Sequence, residues 1–228
     1  MDGVATMRSE LLKGVRMLDL TDEKGALCGK MFADMGADVI KVEPPQGCAT
    51  RKIPPFLDDE PELDHSLHFL AYQAGKRSIT LNLESADGRE LLKELVQRAD
   101  FLVEAFPLGH LESIGLGYER LAKLNPRLIH ATLTPFGDRG PGKDYKAADI
   151  VSWASGGAMF LMGEPGKPPV QMSVPQAWLH AGAEAAVASM IAYYARQADG
   201  VGQHIVVNAQ ACGVWTLMNE QAMPLLHG

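Results

Sequence analysis

Cysteine is scarce in this sequence, and its spacing excludes the frameworks that cysteine usually builds. The 228 residues contain three cysteines, Cys28, Cys48 and Cys212, which lie far apart and form no CxxC pair. A sparse, odd set of cysteines favours free thiols in a reducing compartment over a disulfide framework or a zinc site. We therefore expect a cytoplasmic protein.

Long hydrophobic runs and an excess of positive charge are also missing. No window approaches the roughly 18 consecutive apolar residues of a membrane helix, and the polar start MDGVATMRSELLKG lacks the apolar core of a signal peptide. Lys and Arg number 21 against 28 Asp and Glu, which gives a net charge of −7. We therefore expect no membrane and no nucleic-acid partner, although a local basic pocket could still hold an anionic ligand.

Several common functional motifs are absent. The sequence has no GxGxxG, GxxxxGK(S/T), GxSxG or HExxH, so the usual dinucleotide, P-loop, hydrolase and metalloprotease signatures are missing. His65 and His68 are the only close pair of histidines, and no third ligand candidate lies near them in the sequence. We therefore predict no metal site.

What the sequence does contain is an alternation of strand-like and helix-like segments. This alternation predicts an α/β fold with a Rossmann-like, mostly parallel sheet flanked by helices. Five prolines within residues 44–66 predict a long surface loop. Strands are predicted at 15–20, 38–42, 78–83, 101–104, 128–133 and 204–207, and helices at 26–36, 85–98, 118–124, 149–157, 176–196 and 208–226.

The predicted helix over 176–196 carries an apolar stripe at a spacing of three and four residues. Such a stripe is typical of the face that a helix turns towards the core. We therefore expect a core position for Ala183, Ala186, Val187, Met190, Ile191 and Tyr194.

The segment GADVIKVEPPQG at 36–47 reads as a strand that ends in charged residues and a proline turn. Ligands of open α/β sheets bind at the carboxyl ends of strands, so Lys41 and Glu43 would face a cleft. The alternative interpretation is a strand that simply ends in solvent.

Six blocks of the sequence together resemble a known family. In order they are GADVIKVEPP at 36–45, GKRSITLNL at 75–83, ADFLVEAFPLG at 99–109, GLGYERLAKLNPRLIHATLTPFG at 115–137, ADIVSWASGGAMFLMGEPGKPPV at 148–170 and ADGVGQHIVVNAQAC at 198–212. The series resembles the family III CoA-transferases, which include carnitine, formyl and oxalate CoA-transferases and share their fold with α-methylacyl-CoA racemases.

This resemblance implies a domain arrangement and an assembly. Residues 1–213 would form the Rossmann-like, CoA-binding large domain, and residues 214–228 would begin a linker to a small domain that this sequence does not contain. Full-length members form interlocked dimers, so we expect either a homodimer or a heteromer with a homologous subunit. The substrate would be coenzyme A or an acyl-CoA thioester, with no metal.

The resemblance also implies a mechanism, and this sequence departs from it. In the transferases an aspartate attacks the thioester and forms a mixed anhydride. That aspartate lies nine residues after the PP pair and four before a glycine, and both counts lead to Trp178. In the racemases a histidine precedes the aspartate that matches Asp149, whereas Ala148 stands here.

Two interpretations of Trp178 are open: an aromatic residue of the core or of an interface, or a side chain that fills the acyl pocket. Asp149 is a weak candidate for a substitute nucleophile, the alternative being a structural carboxylate at a helix start. The retained candidates for contact with CoA are Lys41, Arg51, Lys76, Arg77, Phe106 and Lys146, whereas Ser113 replaces an arginine that is frequent in the family.

These departures leave several functions open. The preferred hypothesis is a catalytically silent subunit that acts beside an aspartate-bearing homologue. The alternatives are an active transferase or racemase that uses another carboxylate such as Asp149 or Asp22, a CoA-thioester binding module without chemistry, and a nonfunctional fragment.

Overall fold

The structure is a computed structural model that describes residues 10–218. Six parallel strands form one sheet in the order β3-β2-β1-β4-β5-β6. The strands are β1 (Arg16–Leu20), β2 (Asp38–Glu43), β3 (Arg77–Thr80), β4 (Phe101–Glu104), β5 (Ile129–Thr134) and β6 (His204–Asn208). The predicted Rossmann-like α/β fold is confirmed, and the strand order reverses between β1 and β4.

Helices connect the strands and cover both faces of the sheet. They are α1 (Ala26–Asp34), α2 (Leu67–Gln73), α3 (Ala86–Val96), α4 (His110–Ser113), α5 (Tyr118–Leu124), α6 (Asp149–Ser155), α7 (Gln176–Asp199) and α8 (Ala209–Thr216). Short 3-10 turns occupy Ala49–Lys52, Leu57–Asp59 and Ala158–Leu161.

Alternation along the strands builds two cores, one on each face of the sheet. In β4, Phe101 and Val103 join the core under α1, α7 and α8, whereas Leu102 between them joins the core under α3, α4 and α5. Successive side chains of a strand point to opposite faces, so strands covered on both sides are apolar throughout.

Two local signals in the sequence place helix ends correctly. The Ser85 hydroxyl accepts a hydrogen bond from the Gly88 N–H at 3.1 Å and caps α3, as expected from its position. Gly36 follows α1 with a φ of 94°, a left-handed conformation that glycine adopts without strain.

The proline-rich segment is confirmed as a surface segment, because most of its residues are exposed, although three of them are buried. Cys48, Thr50 and Ser66 in this segment are buried. The Ser66 hydroxyl donates to the Ile53 carbonyl at 2.6 Å and caps α2, a helix that was not predicted. These three residues hold the loop against the domain, and the Ser66 hydroxyl satisfies backbone groups at that point.

The predicted core stripe of α7 is wrong for its bulky members. Val187, Ile191 and Tyr194 are 49%, 65% and 82% exposed. The buried face of α7 consists mainly of small residues, namely Ala177, Ala181, Gly182, Ala185, Ala186, Ser189 and Ala192. Small side chains let the helix backbone approach α1 and the sheet closely, so the larger residues of this helix face outward.

The predicted boundary at residue 213 falls inside α8, which continues to Thr216. Residues 219–228 of the predicted linker and residues 1–9 of the predicted domain lie outside the described residues, so this boundary stays a prediction. Within residues 10–218, no helix is long and apolar enough to cross a membrane.

Gly202 marks a close approach between the chain before β6 and the start of β5. A Cβ added there would lie 2.0 Å from the Leu128 carbonyl oxygen, and the Gly202 N–H donates to the Pro126 carbonyl at 2.8 Å. We expect Gly202→Ala to lower the free energy of unfolding by about 1–3 kcal/mol, because the backbone must shift.

Urea unfolding measures this effect, with Gly142→Ala as the matched control. At Gly142 the nearest atom to an added Cβ, in Tyr145, is 3.7 Å away, which is ordinary contact. Equal unfolding midpoints for the two variants would contradict the prediction.

Candidate functional site

A cavity of about 540 Å³ opens at the carboxyl ends of β1 to β4. It lies beside the point where the strand order reverses, which is where open parallel sheets bind ligands. Lys52 and His110 are its basic lining residues, and Phe106 forms part of its wall against the His110 ring at a centroid distance of 5.0 Å. The remaining walls come from the β1 end (20–22), the β2 end and following turn (42–49), residues 81–84 after β3, and Ala105.

Asp19, near the carboxyl end of β1, is the centre of a buried charge cluster. Its side chain is fully buried and accepts a hydrogen bond from the Lys76 ammonium at 2.7 Å, while the Lys41 ammonium lies 3.5 Å away. Burial opposes the charge of Asp19, but the two lysines outweigh it and hold the pKa of this carboxyl well below its usual range. Lys41 and Lys76 are therefore engaged inside the protein.

Further contacts tie this cluster to the backbone around the cavity. Lys41 also donates to the Thr21 carbonyl, and Lys76 donates to the Ala26 carbonyl at 2.9 Å. A Cβ at Gly29 would lie 2.4 Å from the Asp19 carboxylate, so only glycine lets α1 approach this closely. The cluster thereby fixes the start of α1 against the sheet edge.

Glu43 and Arg51 form a second ion pair beside the cavity. The Arg51 guanidinium donates two hydrogen bonds to the Glu43 carboxylate, at 2.7 and 2.8 Å, and stacks over the Phe69 ring at 3.9 Å. Although burial opposes the charge, the bonds from Arg51 and Ser78 keep the pKa of Glu43 well below its usual range. This pair holds the turn after β2 in place.

Arg77 and Lys146 lie apart from this cavity wall. Arg77 forms a two-bond ion pair with Asp38, at 2.7 and 2.8 Å, at the amino-terminal edge of the sheet. Lys146 lies exposed in the loop before α6 and has no ion pair with any described residue. Of the six predicted contacts with CoA, Phe106 alone lines the cavity, and the assignment of all six stays a prediction.

Sequence reasoning missed Lys52 and the turn over residues 81–84. Residues 81–83 were predicted as strand, but β3 ends at Thr80 and the following residues form a cavity wall. The position of residues 81–84 immediately after a strand was the signal in the sequence that could have identified them as a cavity wall. Lys52 lies in the segment that was predicted as a loop.

Asp149 and Trp178 meet where α6 and α7 both begin. The Asp149 carboxylate accepts a hydrogen bond from the Trp178 N–H at 2.9 Å and faces the N–H groups of Gln176 and Ala177. The residue before α7 is Pro175, whose side chain offers no acceptor. Asp149 thus caps α7 from a neighbouring helix, and the Trp178 side chain is 2% exposed within the core.

The loop after β1 lies between the cavity and this helix start. Asp22 lines the cavity and pairs with Lys24. Burial, together with the charges of Asp22 and Asp149, raises the pKa of Glu23. Three carboxyl groups therefore lie along this side of the site. Residues 10–218 contain no group of three His, Cys, Asp or Glu side chains arranged to hold a metal ion.

Comparison with known proteins identifies the family. Residues 12–227 match CoA-transferase family III. The chain belongs to this family. It is 42% identical over 192 residues to the succinyl-CoA:(R)-benzylsuccinate CoA-transferase subunit BbsE of Thauera aromatica, a match that covers 84% of this chain and 47% of that protein.

A further relative and a solved structure also match most of this chain. The formyl-CoA:oxalate CoA-transferase of Streptomyces avermitilis is 37% identical over 203 residues, covering 89% of this chain and 48% of its own length. A CAIB/BAIF family protein from Brucella suis superposes with a TM-score of 0.89 at 37% identity, covering 97% of this chain and 58% of that chain. This chain therefore spans about half the length of the curated relatives it matches.

Asp19→Asn tests the buried charge cluster. The substitution leaves two buried ammonium groups without their counter-charge, so we expect the free energy of unfolding to fall by about 3–5 kcal/mol. Asp34→Asn is the matched control, because Asp34 is 60% exposed in its pair with Lys30 and such pairs contribute less than about 1 kcal/mol. Similar urea midpoints for the two variants would rule out a stabilising role for the cluster.

Glu104, the last residue of β4, gives a prediction on pH dependence. Burial raises the pKa of Glu104 to about 7, so the folded protein keeps a proton that the unfolded chain loses above its ordinary value of about 4.3. The contribution of Glu104 to the free energy of unfolding is therefore fully present at low pH. It is lost as the pH rises towards 7, by up to about 3 kcal/mol. We expect Glu104→Gln to remove this part of the pH dependence.

Urea unfolding of both proteins at about pH 5 and about pH 8 measures it. The wild type should lose stability relative to Glu104→Gln as the pH rises. A difference between the two proteins that does not change with pH would contradict the prediction.

Proposed function

We propose that this chain binds CoA thioesters in the cavity at the strand ends and acts as the nucleophile-lacking subunit of a CoA-transferase. Its partner would be a homologous chain that carries the catalytic aspartate. The observation that carries this proposal is Trp178, a buried indole on the first turn of α7, where the family resemblance locates the nucleophile. An indole has no carboxylate with which to form a mixed anhydride.

The nearby carboxylates are poor substitutes for the missing nucleophile. The Asp149 Oδ1 atom accepts a hydrogen bond from the Trp178 N–H, and the carboxylate faces the N–H groups of Gln176 and Ala177, so this group is engaged in capping α7. Asp22 is paired with Lys24 and also accepts a hydrogen bond from the Lys24 N–H at 2.9 Å. Both carboxylates are engaged in other contacts, and neither is at the position expected of the nucleophile.

The cavity offers suitable contacts for the nucleotide end of CoA. Phe106 provides an aromatic surface for a base, and Lys52 and His110 provide basic groups for phosphates. Lys146 is exposed and unpaired among the described residues, so it remains available to an anionic ligand. A ligand that extends from this cavity past the loop after β1 would approach Asp149 and Trp178.

The names of two relatives support an assembly and a donor class. The protein from Thauera aromatica is named as one subunit of a succinyl-CoA transferase, and a relative from Haloarcula marismortui is named as a succinyl-CoA:mesaconate CoA-transferase. We therefore propose a CoA thioester of a dicarboxylic acid, with succinyl-CoA as the first compound to test.

A native mass spectrum of the protein isolated from its own cells tests the assembly. We expect a complex that contains this chain and a second family member with an aspartate at the position of Trp178. A homodimer or a monomer would refute the subunit proposal, and CoA binding by that species would instead support a binding module.

Exchange of labelled CoA into succinyl-CoA tests the chemistry. We expect no exchange by this chain alone and exchange by the complex, with Asp149→Asn and Asp22→Asn in this chain leaving the rate per complex unchanged. Exchange by the isolated chain that disappears in Asp149→Asn, while Asp22→Asn retains it, would instead show an active enzyme that uses Asp149.

A further inference from the structure

A row of polar side chains crosses three adjacent strands on one face of the sheet. Glu104 of β4 is directly opposite Thr132 of β5, and His204 of β6 is opposite His130, two residues before Thr132. Side chains at these positions share a face and lie within reach of one another. Glu104 is 4% exposed, whereas His204 is exposed and lines a separate cavity of about 260 Å³.

Hydrogen bonds join this row to the wall of the CoA cavity. The Glu104 Oε2 atom accepts the N–H of Phe106 at 2.7 Å, and Phe106 lines the cavity. On its other side the Glu104 carboxyl lies directly opposite Thr132, whose hydroxyl favours the ionised form and lowers the pKa of Glu104. The Thr132 Oγ1 atom lies 3.0 Å from the His204 Nε2 atom.

We propose that Glu104 is a positioning residue for the Phe106 wall, and that Thr132 and His204 form the path by which this buried carboxyl exchanges its proton with solvent. The proposal rests on CoA binding in the cavity at the strand ends. Its consequence is that CoA binding and the protonation of Glu104 are linked.

A hydroxyl between a carboxyl and an imidazole can hydrogen bond to the carboxyl in both protonation states of the carboxyl. When Glu104 is ionised, the Thr132 O–H donates to the carboxylate and accepts from the His204 Nε2–H. To protonate Glu104, the Thr132 proton passes to the carboxylate, the Nε2 proton of His204 passes to Thr132, and a proton from water binds His204 Nδ1. One proton enters at His204 Nδ1, and one proton moves in each of the two internal transfers. His204 therefore stays neutral and changes only its tautomer.

Other titratable groups face the two ends of this path. Near Glu104, the His130 Nε2 atom lies 3.9 Å from Oε1, and burial lowers the pKa of His130 to about 3, so that ring is neutral. The charges of Glu112 and Lys24 also act on Glu104. Near His204 are the charges of Glu112, Glu119 and Asp138, and the Tyr118 ring stacks on His204 at 5.0 Å.

The direction of the linkage follows from charge. Because burial raises the pKa of Glu104 to about 7, both of its forms are populated near neutral pH. Anionic phosphates of CoA at His110, whose ring packs against Phe106 at 5.0 Å, disfavour a second negative charge behind that wall. CoA binding should therefore take up a proton, and CoA should bind more weakly as the pH rises through 7.

Isothermal titration of the purified protein with CoA tests this linkage. Titrations at about pH 6 and about pH 8 compare the wild type with Glu104→Gln, which keeps an acceptor for the Phe106 N–H but cannot ionise. We expect the wild-type affinity to fall about fivefold more than that of the variant across this range. Buffers with different ionisation enthalpies should show proton uptake near neutral pH in the wild type and less in Glu104→Gln.

Glu119→Gln is the charge-matched control, because it removes one nearby carboxylate outside the path. It should keep the wild-type pH dependence. The same pH dependence in wild type and Glu104→Gln would overturn the proposal.

A second measurement tests the path without CoA. The amide NMR signal of Phe106 should titrate near neutral pH in the wild type and stay fixed in Glu104→Gln. Thr132→Val, which breaks the path, should slow the exchange of the Glu104 proton with solvent, measured as a change in the exchange broadening of the Phe106 amide signal during the titration, whereas Thr132→Ser, which keeps the hydroxyl, should not. A Phe106 amide that does not titrate near neutral pH would overturn the proposal, whereas a titrating amide in a protein that fails to bind CoA would overturn only the proposed CoA site.

Discussion

The carboxyl edge of the sheet depends on the buried charge of Asp19. This one carboxylate holds the ammonium groups of Lys41 on β2 and of Lys76 just before β3, and Lys76 reaches on to the first turn of α1. Three strands and a helix therefore meet at a single group whose charge is stable only while both lysines remain beside it. The cavity wall is built on this edge, so its shape depends on an electrostatic contact rather than on apolar packing alone.

The same contact explains which parts of the site could be predicted from sequence. The ends of the parallel strands predicted a cleft, and the cavity is located at those ends. Lys41 and Lys76, however, are engaged with Asp19, and Arg51 is engaged with Glu43. Sequence places a charged residue near a strand end, but it does not reveal whether an internal carboxylate neutralises that charge. Lys52 was missed because it lies in a segment predicted as a surface loop, where the sequence does not show that a residue lines a cavity.

Hydrophobic patterns predicted the six strands and the longer helices, but not the short helices α2 and α4 or the buried face of α7. Strands β1 and β4 are covered on both faces by the two cores, so their largely apolar sequences agree with the structure. Helix α7 carries two stripes, one of large apolar residues and one of alanine, glycine and serine. The second stripe is buried because close packing against α1 requires small side chains, as at Gly182, where an added Cβ would lie 3.1 Å from Leu27. A scale that scores size together with hydrophobicity selects the first stripe instead.

At the start of α7 the capping group comes from Asp149 and not from residue 178, which explains how the fold accommodates Trp178. Trp178, the proposed nucleophile position, is the third residue of the helix, and its side chain is not needed to cap that helix. Asp149 supplies the cap from α6, so the helix start keeps its acceptor whatever residue occupies position 178. An apolar ring at that position packs into the adjoining core and gains burial energy that an aspartate would not. The capping of α7 therefore does not depend on the side chain at position 178, so the proposed absence of a nucleophile there is compatible with the family's architecture.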